Sequence, residues 1–347
     1  MLDPIVIRAL FTSWTGYGQI AEKIGQGLDW LGYPVACDDY GADQTYAKAS
    51  PWVSSHLDMG AFDPDWVVHV HTPHGIFAPA SKTIFFTMWE TSGLPDIGLS
   101  YLNRSAAVIV PNKWNVETFK AAGVTAPIYH VPLGVSPSDG YQFHKMSMDG
   151  PTVFGMAARL AHGGVRKGIE EGVNAFLDAF SDTDDVRLWL KLWPDCLEIY
   201  TPPDDPRIQV TTFPFRGLQM CEWYRRIHCL LVPSKGEGWG LHTHQAMATG
   251  RPVIAAKYSG TAEFFDSRAG WELDYKLEPA GGMYAGTGSW AVPTHESMVE
   301  SLREAHSDRK RLARMGVVAN TMVSHLTWEN MALEVERVLK TVGAIGG

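Results

Sequence analysis

A chain of 347 residues exceeds what one hydrophobic core normally organises, so two domains are expected. With 45% apolar and 19% charged residues it reads as a folded globular chain, and its net charge of −9 removes any overall basic field that would recruit nucleic acid or anionic lipid. Cys37, Cys196, Cys221 and Cys229 form no Cys-x-x-Cys pair and imply no disulfide framework, and no apolar run reaches the roughly 18 residues of a membrane span.

The opening reads as a βαβ unit. Residues 5–10 form a buried strand, residues 13–18 a loop with Gly16 and Gly18, and Ile20, Ile24, Leu28 and Leu31 one helical stripe that Gly32 stops before a strand at 34–37. Residues 65–71 are a further apolar strand with His69 and His71 on one face, and His74 follows in the loop. Three neighbouring histidines raise the question of a metal, but no carboxylate accompanies them, so no metal site is assigned. Strands at 84–87, 107–110 and 128–131 and a helix ending at Ala122 continue the sheet, with Glu90 just past one strand end. The first domain is expected over residues 1–136, and the polar run 137–150, with Pro137, Gly140 and Gly150, is the expected linker.

A second domain, 151–325, opens with a strand at 152–157 that leads into Arg159, and Lys167-Gly168 starts a helix through Phe180. A buried strand at 186–192 and a helix at 218–226 precede the apolar run 229–232, which ends in Pro233. Gly236, Gly238 and Gly240 then alternate before an amphipathic stretch at 241–248. This is a strand, a tight loop and a helix, and glycines before a helix N-terminus make a cradle for phosphate. Glu237 among those glycines fits only if hydroxyls lie beside the phosphate, as in an activated sugar. Trp193, Trp223 and Trp239 read as packing residues in preference to base-stacking platforms, and residues 281–288 read as loop. Trp328, Met331, Val335, Val338 and Leu339 mark a final helix within 326–347.

The stretch Pro233-Ser-Lys-Gly-Glu-Gly-Trp-Gly240, followed by Ala-Met-Ala-Thr-Gly-Arg-Pro-Val-Ile-Ala255 and Gly260-Thr-Ala-Glu263, resembles the donor-site motif of retaining GT-B glycosyltransferases, in particular family four. That pattern has a second Glu eight positions after the first, where this chain has Gln245, whose amide still offers an acceptor and two donors to a ribose diol. The resemblance implies two Rossmann-like domains facing a cleft, with the last helix crossing back onto the acceptor-side first domain. It gives the donor diphosphate to Arg159 and Lys167, with Arg166 a further candidate, and the sugar hydroxyls to Glu237. The amides of Gly238, Trp239, Gly240 and Leu241 join the leaving group, Gln245 meets the ribose, and Thr211 opens the base-binding loop, 211–216. In the first domain, the resemblance places Gly16 and Gly18 towards the donor phosphates, His71 towards the transferring sugar and Glu90 on the acceptor side.

No Ser-His-Asp set, zinc spacing, Walker lysine or glycosidase-like carboxylate pair is evident. Catalysis is therefore expected to rest on leaving-group stabilisation and positioning, and the resemblance implies metal-independent, cofactor-free front-face transfer from a nucleotide-sugar to an acceptor hydroxyl. The acceptor is a glycan or another hydroxyl-bearing molecule; a hydroxymethylated DNA base is disfavoured by the acidic balance, and peripheral membrane contact stays open. A sugar-nucleotide epimerase or phosphorylase of the same fold and a non-catalytic sugar-nucleotide-binding module are the rivals. The expected location is the cytoplasm.

Overall fold

The computed structural model of the chain describes residues 4–11, 15–40, 49–57, 66–73, 82–160, 164–213, 215 and 217–346. Contacts divide the chain into two units: Met1–Trp89 with Gly93–Gly134 and Leu326–Gly347, and Glu90–Ser92 with Val135–His325.

The first unit alternates strands and helices: β1 (Ile5–Ala9), α1 (Gly16–Trp30), β2 (Val35–Asp39), α2 (Pro51–Ser55), β3 (Val67–Val70), β4 (Thr83–Phe86), α3 (Asp96–Leu102), β5 (Ala107–Val110), α4 (Lys113–Ala121) and β6 (Ile128–His130). Among the described residues its strands pair in parallel in the order β2-β1-β3-β4-β5-β6, with Ile7 opposite Cys37 and Val70 opposite Phe86. Every residue of β3, β4 and β5 is buried, which is why these strands read as unbroken apolar runs without the alternation of a half-solvated sheet. The expected loop through Gly18 ends sooner than the sequence suggests. The Thr15 hydroxyl accepts from the Gly18 N–H at 3.2 Å and caps α1, so Gly16 and Gly18 lie in its first turn. The final helix, Trp328–Thr341, belongs to this unit and packs on α1. Gly27 permits that approach, since a Cβ there would stand 2.3 Å from the Ala332 Cβ, and the Tyr33 hydroxyl donates to Glu336 Oε1 at 2.6 Å.

The second unit contains β7 (Thr152–Ala158), α5 (Ile169–Ala179), β8 (Val186–Leu192), β9 (Ile208–Thr211), α6 (Leu218–Arg226), β10 (Cys229–Val232), α7 (Leu241–Ala248), β11 (Val253–Ala255), β12 (Gly270–Glu272), a hairpin of β13 (Tyr275–Pro279) and β14 (Ser289–Pro293), α8 (His295–Ser307) and α9 (Arg309–Val323). Among the described residues its main sheet is parallel with the order β12-β11-β10-β7-β8-β9. The order reverses between β7 and β10, the place where doubly wound sheets open a crevice beyond the carboxyl ends of their strands. α7 is buried from Thr243 to Ala248, not amphipathic as its sequence suggested, because α9 covers the face that would otherwise meet water.

Residues 137–150, expected as a linker, are bound onto the second unit. Tyr141 and Met146 are buried, and the Tyr141 ring meets Tyr224 edge-on at 6.3 Å. Cys221 Sγ donates to the Asp139 carbonyl at 3.4 Å, and Arg251 Nη1 donates to the His144 carbonyl at 2.9 Å. The polar composition of the stretch concealed the two apolar anchors that fasten it. All four cysteines are buried free thiols, and among the described residues no helix is long and apolar enough to cross a membrane.

Two histidines of this unit are held neutral by burial. The His228 pKa is lowered to about 4 and that of His244 to about 3, against an ordinary value of 6.5. Between 6.5 and those values the unfolded chain binds protons that the folded chain refuses, so stability is whole above pH 6.5 and declines as pH falls. Each such group costs at most about 1.4 kcal/mol per pH unit inside that window. Tm is expected to fall measurably between pH 7 and pH 5; a flat Tm over that range would contradict the buried, neutral state of these rings.

Candidate active site

The candidate site is built where β7 and β10 end. β7 delivers Arg159 directly, and the chain returns through a 3-10 turn, Val165–Lys167, to Gly168, whose left-handed φ of 61° starts α5. Gly168 is required there twice over, because a Cβ would also stand 2.3 Å from the Pro233 carbonyl oxygen at the end of β10. The two loops are laced together: the Arg166 carbonyl accepts from the Lys235 N–H at 2.8 Å and from the Ser234 hydroxyl at 3.3 Å. Residues 161–163 of the connecting loop lie outside the described residues.

This lacing brings Lys167 and Glu237 together across 70 positions of sequence, with Lys167 Nζ donating to Glu237 Oε1 at 2.6 Å. Arg166 Nη1 lies 3.2 Å from the other carboxylate oxygen, Oε2, and its Nη2 lies 3.7 Å from Glu90 Oε1. The Tyr284 ring lies under the Arg166 guanidinium at 5.7 Å, and the His242 ring stands 3.9 Å from Glu237. Burial raises the Glu237 pKa, but Lys167 and Arg166 more than offset it and hold the carboxyl well below the ordinary range, firmly ionised. Burial wins at Glu90, whose pKa is raised in spite of Arg166, and burial lowers His242 to about 4, leaving it neutral. Burial lowers the Lys167 pKa too, with Glu237 opposing the shift, so Arg166 and Lys167 are grouped around the ionised Glu237 carboxylate with Glu90 beside Arg166.

Beside the cluster is a pocket of about 90 Å³ walled by Arg159, Lys167, Gly282, Met283 and Tyr284 among others. Arg159 reaches it with its guanidinium 4.9 Å from the Trp193 ring and 3.5 Å from Asp195 Oδ2. Arg159 and Lys167 thus share one pocket, and Glu237 adjoins it through Lys167.

Gly238, Trp239, Gly240 and Leu241 follow as the turn into α7, where Gly240 has the left-handed φ of 91° that ends the loop. The Trp239 side chain packs, as read from the sequence: it is 1% exposed, lies 4.8 Å from Phe264 and donates to His244 Nδ1 at 3.2 Å, which leaves its backbone to meet a donor. Gln245 is buried with its Oε1 3.2 Å from the Tyr224 hydroxyl, which also donates to the His242 carbonyl at 3.0 Å. Thr211 ends β9 at the sheet edge, where its hydroxyl accepts from Trp189 Nε1 at 2.8 Å; Pro214 and Arg216 of the expected base loop lie outside the described residues. Trp193 and Trp223 are buried, as packing residues are.

Glu90, expected on the acceptor side at a strand end, groups with the second unit. It lies four residues past β4, and its carbonyl oxygen approaches Gly236 so closely that a Cβ there would stand 2.4 Å away. In the first unit, His71 follows β3 and Gly16 opens the helix after β1, at the β1/β3 reversal of that sheet. The His71 ring lies 6.3 Å from Tyr17 and 5.8 Å from Tyr40, and burial lowers its pKa. His74 lies outside the described residues, and among those described no group of three or more His, Cys, Asp or Glu side chains could hold a metal.

Sequence reasoning passed over Tyr284, inside the glycine-rich run read as loop, and His242. The signal for Tyr284 was a large aromatic residue amid glycines; it is buried with its ring 6.1 Å from that of Trp290.

Two parallel, doubly wound sheets with a cationic pocket at the reversal of the second define an α/β protein of the GT-B class. Residues 151–276 match the family model Glycosyl transferases group 1, which identifies this segment as a group 1 glycosyltransferase domain and the protein as a glycosyltransferase. Solved structures share the fold at low identity. Sucrose-phosphate synthase from Thermosynechococcus elongatus superposes with a TM-score of 0.71 at 15% identity, over 99% of this chain and 100% of its own. HepE from Anabaena, solved with UDP and glucose, gives 0.69 at 14%, over 97% and 99%. WaaG, a glycosyltransferase involved in lipopolysaccharide biosynthesis, gives 0.67 at 12%, over 99% and 100%. No curated protein sequence matches the chain.

Proposed function

We propose that the protein is a retaining glycosyltransferase that moves a sugar from a nucleoside-diphosphate-sugar to an acceptor hydroxyl, on the front face and without a metal. The observation behind this reading is the single pocket shared by Arg159 and Lys167, with Glu237 beside it, at the β7/β10 reversal. As the bond from the anomeric carbon to the diphosphate oxygen breaks, negative charge grows on the leaving group. Arg159, Lys167 and the first-turn amides of α7 neutralise it, the work that other enzymes give to a divalent ion. Glu237 accepts hydrogen bonds from the sugar hydroxyls. The acceptor oxygen bonds the anomeric carbon from the same face, and its proton passes to the departing phosphate oxygen.

In this reading the first unit takes the acceptor, a glycan or other hydroxyl-bearing molecule. The buried free thiols support a cytoplasmic location. UDP-glucose is the first donor to try, since HepE binds it.

The test needs no acceptor other than water. Incubated with UDP-glucose, and then with GDP-mannose and dTDP-glucose, the protein is expected to release the α-sugar first, as read by proton NMR before mutarotation, undiminished by EDTA. Initial release of the β-sugar, or loss of activity with the chelator, would overturn the mechanism. An altered sugar still attached to its nucleotide would indicate an epimerase.

A further inference from the structure

We infer that Arg166 is a positioning residue for the sugar-recognising carboxylate, not a third ligand of the diphosphate, and that Glu90 and Tyr284 hold it in that role. The inference rests on the nucleotide-sugar reading above and deepens it. Arg166 borders the same pocket as Arg159 and Lys167, so by location alone it would join them on the phosphates. Its Nη1 is engaged within the Glu237 loop and its Nη2 faces a second carboxylate at ion-pair distance. Nη1 donates to the Gly236 carbonyl and lies 3.2 Å from Glu237 Oε2, while Nη2 is directed at Glu90 Oε1, 3.7 Å away. The guanidinium carbon stands 5.7 Å from the centre of the Tyr284 ring, and the backbone carbonyl of Arg166 accepts from Lys235 and Ser234. Arg166 thereby joins the loops after β7 and β10 through both its main chain and its side chain. A planar five-donor fork suits that task, and an ammonium does not.

The division of the carboxylate is the reason such a residue is needed. Lys167 holds Oε1 and Arg166 holds Oε2. A diphosphate entering beside Lys167 competes for its three N–H donors and would leave Glu237 free to swing if Lys167 were its only partner. With Oε2 clamped by Arg166, the carboxylate keeps its place and offers its remaining lone pairs to sugar hydroxyls. Gly236 keeps the clamp compact, because any side chain there would collide with the Glu90 backbone.

Calorimetric titration with UDP and UDP-glucose, and with GDP and GDP-mannose as a second pair, separates the roles. Arg166→Gln is expected to keep the affinity for UDP within about twofold and to raise the ratio of the UDP-glucose Kd to the UDP Kd by about tenfold, the loss of one charge-assisted contact, with kcat falling in parallel. Arg166→Lys, which keeps the charge but not the fork, is expected to restore only part of that ratio. The variant Glu90→Gln, isosteric and still able to hydrogen-bond, is expected to move the ratio in the same direction by less. Equal weakening of UDP and UDP-glucose in both Arg166 variants would make Arg166 a diphosphate ligand and overturn the inference, as would an unchanged ratio. If the wild-type protein binds neither pair, the nucleotide-sugar reading fails and this inference falls with it; if it binds and only the ratio stays fixed, the inference alone fails.

Discussion

Replacing Lys167 by alanine is expected to slow sugar transfer by about 10²–10³-fold, the usual cost of removing one group that meets developing charge, in a protein that keeps its fold. Lys167 ends a 3-10 turn and gives its ammonium to Glu237 at 2.6 Å beside the pocket that it shares with Arg159. Its removal does not strand the carboxylate, since Arg166 still holds Oε2 at 3.2 Å. Loss of rate with unchanged circular dichroism and nearly unchanged Tm is therefore the signature to look for. Wild-type turnover in the purified variant would remove Lys167 from the leaving-group site.

Glu237→Gln is expected to have a less obvious pair of effects. The carboxylate is 7% exposed and is the one firmly ionised anion between Arg166 and Lys167. Neutralising it leaves two cations side by side with little solvent, a loss of about 3–5 kcal/mol by the measure of other broken buried pairs. A nucleoside diphosphate supplies the missing negative charge. The variant should melt lower than wild type when empty, gain more in Tm from saturating UDP or GDP, and still transfer almost no sugar because the sugar contact is lost. A variant that melts with the wild type, or that UDP and GDP stabilise no better, would show that Glu237 does not balance the cation pair.

Much of the architecture was legible in the apolar runs. The strands expected at 152–157 and 186–192 and the helix at 218–226 correspond to β7, β8 and α6 to within a residue, because their buried apolar positions stand out between turn residues, even where Arg187 and Lys191 interrupt β8. β13 was not legible, since all five of its residues are exposed and only its pairing with β14 defines it. The site was legible in its parts and not in its wiring. Arg159, Lys167 and Glu237 stand out by residue type next to glycines. That Arg166 would turn to Glu237, or that Glu90 would group with the second unit, depends on contacts between positions about 70 residues apart, for which local pattern holds no record. Gln245 shows the same limit: a donor-site residue by motif, it sits against a tyrosine hydroxyl that no spacing announces.

Everything here depends on the second unit gripping an anionic diphosphate between Arg159 and Lys167 where its strand order turns back. Isothermal titration of the intact protein with UDP, GDP, ADP and dTDP measures that grip with no acceptor and no turnover. Saturable one-to-one binding of at least one of the four is expected, weakened about tenfold or more by Arg159→Ala and by Lys167→Ala, each the loss of a charge-assisted contact. Absence of binding by all four, or binding indifferent to both substitutions, would contradict it.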